Sequence, residues 1–234
     1  AVFYINIPVG LLALWLSIRF ILPDQPKPIT ETFDLVGAGL FSASLVTLIL
    51  GLNQGHAWGW GSWPILALLI STCLLIASFF YIERRLPHPM LDLRLFSTSR
   101  QFSTSVASAI LNYICVYSIL FLMPFYLIQV RNLSTAQAGL VMTAQPVIMA
   151  LIAPISGTLS DRIGARLPAI TGMIILTVGL FLLSRLGPET SLPQIAASMG
   201  LAGLGTGAFI SPNTSALMGA APHHRQGIAA GVLA

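Results

Sequence analysis

Gly157-Thr158-Leu159-Ser160-Asp161-Arg162-Ile163-Gly164-Ala165-Arg166 decides how the rest of the chain is read. Both signs of charge and two glycines crowd into this short stretch. Apolar runs flank it, Val141 to Ile155 before and Leu167 to Leu183 after. A charged hairpin between two runs of bilayer length is expected to be the tight water-side turn of a membrane helix pair.

Composition leads to the same place. A soluble domain carries about 25% charged residues. This chain carries 8%, with 56% hydrophobic residues and a mean hydropathy of +0.86. Most of a folded surface stays in contact with solvent, so a water-soluble fold of this length could not hide that much apolar area. The solvent must be lipid. The net charge of +4 is attributed to arginines anchoring loops at one membrane face, and no motif of a nucleic-acid binder accompanies it. Cys73 and Cys115 both fall within apolar runs, which favours small inert side chains over a disulfide or a metal site.

Apolar runs of about 20 residues, long enough to span, can be counted outward from the hairpin. The first is Phe3–Leu22, with Asn6, Pro8 and Gly10 near its start, and the polar Pro23–Pro28 linker closes it. It lacks the basic start of a signal peptide. The second is Leu35–Leu52, entered through Phe33-Asp34. A loop Asn53–Trp63 follows, its Trp58, Trp60 and Trp63 marking the headgroup level. Pro64–Ile82 is the third run. Leu86–Gln101 is a polar connection containing a short segment, Met90 to Phe96, suited to lie at the interface. Phe102–Val130, Leu133–Leu159, Leu167–Leu186 and Leu192–Met218 are the fourth to seventh runs, and Ile228–Ala234 starts an eighth. A chain that begins and ends inside apolar runs is expected to be an internal piece of a longer protein.

Alternate loops divide the basic residues sharply. One set holds Arg19, Lys27, Arg84, Arg85, Arg94, Arg100, Arg162, Arg166 and Arg225; the other holds Arg131 and Arg185, which completes the eleven. Cytoplasmic loops carry the Lys/Arg excess. The first set therefore faces the cytoplasm, and the tryptophan loop is external.

No Asp or Glu lies deep in a run, so a proton-binding acid is expected outside this stretch of sequence. Neutral polar residues do occur mid-span: Asn112, Tyr113, Tyr117, Thr143, Gln145, Thr206 and Asn213. Each must find a partner helix or a wet cavity. Asn112, Tyr113, Tyr117 and Gln145 are the candidates for lining a substrate cavity; interhelical hydrogen bonding is the plainer reading of each. Asn112 and Tyr113, adjacent in sequence, cannot point the same way. Gly203-x-x-x-Gly207 has the small-residue spacing of close helix packing and lacks the strand that precedes a nucleotide loop. The four histidines lie in loops at spacings that fit no metal. No nucleophile, base and orienting group share a membrane depth, so an enzyme is not expected, nor any cofactor.

The hairpin, taken as Gly157-x-Leu159-Ser160-Asp161-Arg162-x-Gly164-x-Arg166, resembles the signature turn of the major facilitator superfamily. Tyr4-Ile5-Asn6-Ile7-Pro8-Val9-Gly10, Phe33-Asp34, Leu91-Asp92-Leu93-Arg94-Leu95-Phe96, and the passage from Gly203 through Ser211-Pro212-Asn213 to Gly231 are similar to its fourteen-helix drug:proton antiporters. The resemblance implies an all-α polytopic bundle, a partial major facilitator fold. Residues 1–22 would be the last helix of an N-terminal bundle, 23–85 two inserted helices, 86–101 a cytoplasmic loop, and 102–234 the first part of the C-terminal bundle.

It further implies proton-coupled efflux of small apolar or cationic drugs by alternating access in the plasma membrane, against a missing N-terminal bundle of the same protein. Gly157, Asp161, Arg162, Gly164 and Arg166 would form the conformational switch, with Asp161 at a neighbouring helix N-terminus. Ala165 stands where the family carries a basic residue. A carrier of a lipid, siderophore or sugar, and a sensor that does not transport, are the alternatives.

Overall fold

The computed structural model describes residues 4, 6–20, 34–86, 89–222 and 226–233. The expectations for the Pro23–Pro28 linker, Phe33, His88, His223, His224 and Arg225 lie outside the described residues. Among those described there is no strand, and six helical spans are long and apolar enough to cross a membrane.

Residues 1–34 form a unit of their own, containing helix α1, Asn6–Phe20. Its described part has 15 residues, fewer than a full span. The second unit holds everything from Leu35 onward: α2 (Leu35–Trp58), α3 (Trp63–Glu83), the short α4 (Leu93–Thr98), α5 (Arg100–Phe125) with a π-helical turn at Tyr126–Val130, α6 (Thr135–Met142), α7 (Ala144–Ile163), α8 (Arg166–Ser184), α9 (Leu192–Ala220) and α10 (Gln226–Leu233).

Three expected boundaries move, each for a local reason. The tryptophan loop is shorter than Asn53–Trp63, because α2 continues to Trp58. Gly59 takes a left-handed φ of 84°, Ser62 precedes α3, and Pro64 sits in the first turn of α3, where a missing N–H costs nothing. The fifth run is not one continuous rod. Pro146 cannot donate to the Met142 carbonyl, and its ring crowds that carbonyl, so the helix pauses at Thr143 between α6 and α7. The third shift is in the signature stretch itself. Asp161, Arg162 and Ile163 are the last turn of α7, and the turn proper is only Gly164-Ala165.

Helix α9 is the centre of the second unit. Over half of its most apolar window, 56%, is buried, against 11–22% for the other spans. Contacts around it fix the direction of every neighbour. Gln101 Nε2 donates to the Ala216 carbonyl and Asn213 Nδ2 to that of Ser105, so α5 runs antiparallel to α9. Gly203 lies against Gln145 and Gly207 against Met149, so α7 runs parallel to it. Gly205 meets Gly172 and Leu176, and Ala202 meets Gly179, so α8 is antiparallel. These directions alternate along the chain, as the distribution of arginines requires, and bring the start of α5 and the α7–α8 turn to the same end.

Helices α2 and α3 form an antiparallel pair in which the Thr47 and Thr72 hydroxyls bond at 2.8 Å. At the end of the second unit where α5 starts, the segment Met90 to Phe96 contributes to a short docked helix, α4. Asp92 caps α4 by accepting from the Arg94 N–H, Leu95 is buried with Phe102, Leu217 and Ala229, and Phe96 and Phe102 meet edge to face at 5.0 Å.

Candidate functional site

The α7–α8 connection is built by small residues. Gly157 lets α7 approach α9 so closely that an added Cβ would stand 2.7 Å from Ser211 Oγ. One residue earlier, Ser156 Oγ donates to the Ala208 carbonyl at 2.6 Å, and Ser160 is buried on the same side. Gly164 ends the helix with φ 88°, a conformation that a side chain disfavours, and its N–H returns to the Ser160 carbonyl at 2.9 Å. Arg166 then opens α8 directly.

This clamp leaves the charges outward. Asp161, Arg162 and Arg166 are all exposed. None of them makes a hydrogen bond or ion pair with another described residue. Asp161 lies in the last turn of α7, where the helix dipole opposes negative charge, and four residues before the end of the turn that begins α8, where the dipole favours it. The motif thus presents one anion and two cations, on a rigid two-residue corner, to whatever lies beyond the end of the bundle.

The four cavity candidates separate. Tyr113 and Tyr117 are exposed on α5, one turn apart, with ring centroids 6.3 Å from each other. Asn112 is buried on the opposite side, where Nδ2 donates to Met173 Sδ on α8 at 3.8 Å. Gln145 is buried near the start of α7, its backbone carbonyl against Gly203. The structure therefore brings Tyr113 and Tyr117 together and turns Asn112 and Gln145 into the bundle. Gly203 and Gly207 both face the backbone of α7.

Sequence reasoning misses Ser156 and Ser198 and reads Ser160 only as part of the hairpin; all three are buried. Serine is too common in membrane helices to stand out alone; the i, i+4 spacing of Ser156 and Ser160 beside Gly157 was the available signal. At the opposite end of the bundle, Tyr126 Oη donates to the Gly187 carbonyl at 2.8 Å, tying the end of α5 to the loop after α8. Arg185 lies over the Phe181 ring at 4.9 Å and Arg85 over Tyr81 at 4.3 Å. Both cations cap the end of a span by folding onto an aromatic of their own helix. No group of residues suited to hold a metal ion occurs among the described residues.

Comparison with known proteins agrees with the geometry. A riboflavin transporter, RibZ, of Clostridioides difficile is 34% identical over the whole chain, which covers 50% of that protein. The multidrug resistance protein Stp of Mycobacterium tuberculosis is 30% identical over the whole chain, covering 43% of it. The tetracenomycin C resistance and export protein of Streptomyces glaucescens is 29% identical, and the chain again covers 43% of it. The chain thus spans about half the length of the curated relatives it matches, or somewhat less. The family model of the Major Facilitator Superfamily matches residues 1–234. With its membrane-length helices running alternately and its charged corner between α7 and α8, this multi-pass membrane chain belongs to the major facilitator superfamily.

Proposed function

We propose that the chain is part of a secondary carrier that exports small apolar or cationic drugs from the cytoplasm across the plasma membrane, driven by proton influx. The observation that carries this reading is the similarity, along the whole chain, to proteins named for multidrug resistance and drug export. The arrangement of the second unit suits it. Helices α7, α8 and α9 pack as one body, and the exposed aromatic face of α5, with Tyr113 and Tyr117, is free to border a cavity shared with an N-terminal bundle of the same protein. Alternating access would rock the two bundles about that cavity. Asp161, Arg162 and Arg166 would engage the opposite bundle in one conformational state and release it in the other. In this layout, residues 1–22 close the N-terminal bundle, α2 and α3 are the inserted pair of a fourteen-helix carrier, and 102–234 begin the C-terminal bundle. The coupling acid would lie elsewhere in the full-length protein, since the spans described here hold none at mid-depth.

A carrier of a different substrate is the second reading, favoured by the similarity to a riboflavin transporter. Inside-out membrane vesicles containing the full-length protein separate the two. With an acidic lumen, an exporter of the proposed kind accumulates ethidium, and a protonophore abolishes the accumulation. Riboflavin uptake with no ethidium uptake would replace the drug reading, and binding of either without flux would point to a sensor. Asp161→Asn is expected to lower the ethidium rate about tenfold at unchanged membrane level, the factor that goes with losing a hydrogen bond to a charged group from one state. An unchanged rate would remove Asp161 from the switch.

A further inference from the structure

The interface between α5 and α9 has a regular register. Ser105 pairs with Asn213 through the Asn213 amide. Ile119 and Met123, further along α5, pack in one cluster with Met199 and Ile195, earlier in α9. In an antiparallel pair, a step of seven residues forward on one helix meets a step of seven back on the other, on the same facing sides. From Ser105 and Asn213 that step arrives at Asn112 and Thr206. The next step arrives at Ile119 and Met199, which the cluster contains. By this register Asn112 and Thr206 stand at one depth on facing sides of the seam, between the Ser105–Asn213 bond and the apolar cluster.

Thr206 is unsatisfied there, and Asn112 has only a weak acceptor. Thr206 is completely buried, and its Oγ1 has no hydrogen-bond partner. A threonine hydroxyl in a helix ordinarily bonds a carbonyl three or four residues back, as Thr171 and Thr177 do in α8. Asn112, buried to 1% exposure, spends its amide on a thioether sulfur at 3.8 Å, a weak acceptor. A buried polar group without a partner requires an explanation, and the register puts Asn112 opposite the Thr206 hydroxyl.

We infer that Asn112 is a two-position toggle: its amide donates to Met173 on α8 in this structure, and to Thr206 on α9 in the alternate arrangement of the bundle. The packing and local geometry of α5 permit the exchange. Helices α7 and α8 contact α9 through glycines, backbone against backbone, whereas α5 contacts it through side chains such as Ile119 and Met123. Pro124 removes a helix hydrogen bond in α5, and the π-helical turn at Tyr126–Val130 follows at once; both loosen the outer end of the rod. A small roll of α5, hinged on the Ser105–Asn213 bond, carries Asn112 from one acceptor to the other. Asn112 is then a positioning residue that holds α5 in either of two settings. The inference rests on the chain being part of an alternating carrier, but not on what is carried.

The test reads the sulfur, not transport. The full-length protein is labelled with 13C-methyl methionine, and the Met173 signal is assigned by Met173→Leu. Wild type is expected to give two Met173 methyl signals, one for each acceptor. Thr206→Val, which keeps the shape and removes the hydroxyl, should collapse them to the signal of the Asn112–Met173 contact, while Thr206→Ser should keep both. Met218, distant along α9, serves as the control for folding and should not shift in any variant. A single Met173 signal in wild type, or two signals that Thr206→Val leaves unchanged, would overturn the toggle. Loss of ethidium or riboflavin flux would not bear on it, so the two readings fail separately.

Discussion

Two helix contacts in this molecule both use glycine, and use it differently. Between α9 and its neighbours α7 and α8, glycine replaces a side chain so that two backbones touch. A Cβ built on Gly207 would stand 2.8 Å from the Met149 carbonyl oxygen, and one on Gly172 would stand 2.7 Å from the backbone nitrogen of Phe209. A Cβ on Gly203 would strike the Gln145 carbonyl. Between α2 and α3, the neighbours of the glycines are side chains. A Cβ on Gly55 would meet the far edge of the Trp60 ring, 2.6 Å away, and one on Gly51 would find Leu69 and Leu68 at an ordinary 3.5 and 3.6 Å. In lipid there is no hydrophobic force to drive helices together, so close packing and hydrogen bonds must do it. The α7–α8–α9 body relies on the closest packing available. The α2–α3 pair relies on looser contact and on the Thr47–Thr72 bond.

The same substitution, glycine to alanine, should therefore cost unequal amounts in the two regions. The largest effect is expected at Gly203→Ala. Neither backbone can yield without moving a whole helix, so stability should fall by about 1–3 kcal/mol, the usual cost of overpacking. A thermal midpoint of the full-length protein equal to wild type would show that α7 and α9 are not in backbone contact. Gly55→Ala should cost less, within about 1 kcal/mol, because the Trp60 ring can turn aside; a second substitution, Trp60→Leu, should erase even that difference. Thr47→Val should lower the midpoint slightly, by the ~0.6 kcal/mol typical of one interhelical hydrogen bond in a membrane. Gly51→Ala should be neutral or gain a few tenths of a kcal/mol from better helix propensity. If Gly51→Ala proves as damaging as Gly203→Ala, the α2–α3 pair is packed as tightly as the central body and the contrast disappears.

That contrast also marks how far the site could be foreseen. The Gly203 and Gly207 spacing is visible in the letters, but equally spaced small residues occur at Gly51 and Gly55, and nothing in the letters separates contact with backbone from contact with a leucine tip. The Tyr113 and Tyr117 face could be drawn from helical periodicity, since one turn separates them. That the Asn112 amide donates to Met173 on α8 could not, because helical periodicity gives a side and not a partner. Charge and glycine together predict a turn at Asp161, because they normally interrupt a span; α7 instead carries its charges on a last helical turn and breaks only at Gly164, where φ becomes positive.

The sequence by itself determined the membrane as solvent, the approximate ends of the spans from Leu35 onward and, from α5 to α9, the end of the bundle at which the arginines gather. Those properties depend on how each short segment partitions between water and lipid, a sum over its own residues. Tertiary structure alone decided that α9 is the centre, that α5 contributes side chains such as Ile119 and Met123 to the core around it, and that the Thr206 hydroxyl is buried without a partner. A span that is apolar all round has no preferred side in lipid. Only the fit of one helix against another chooses which side is buried.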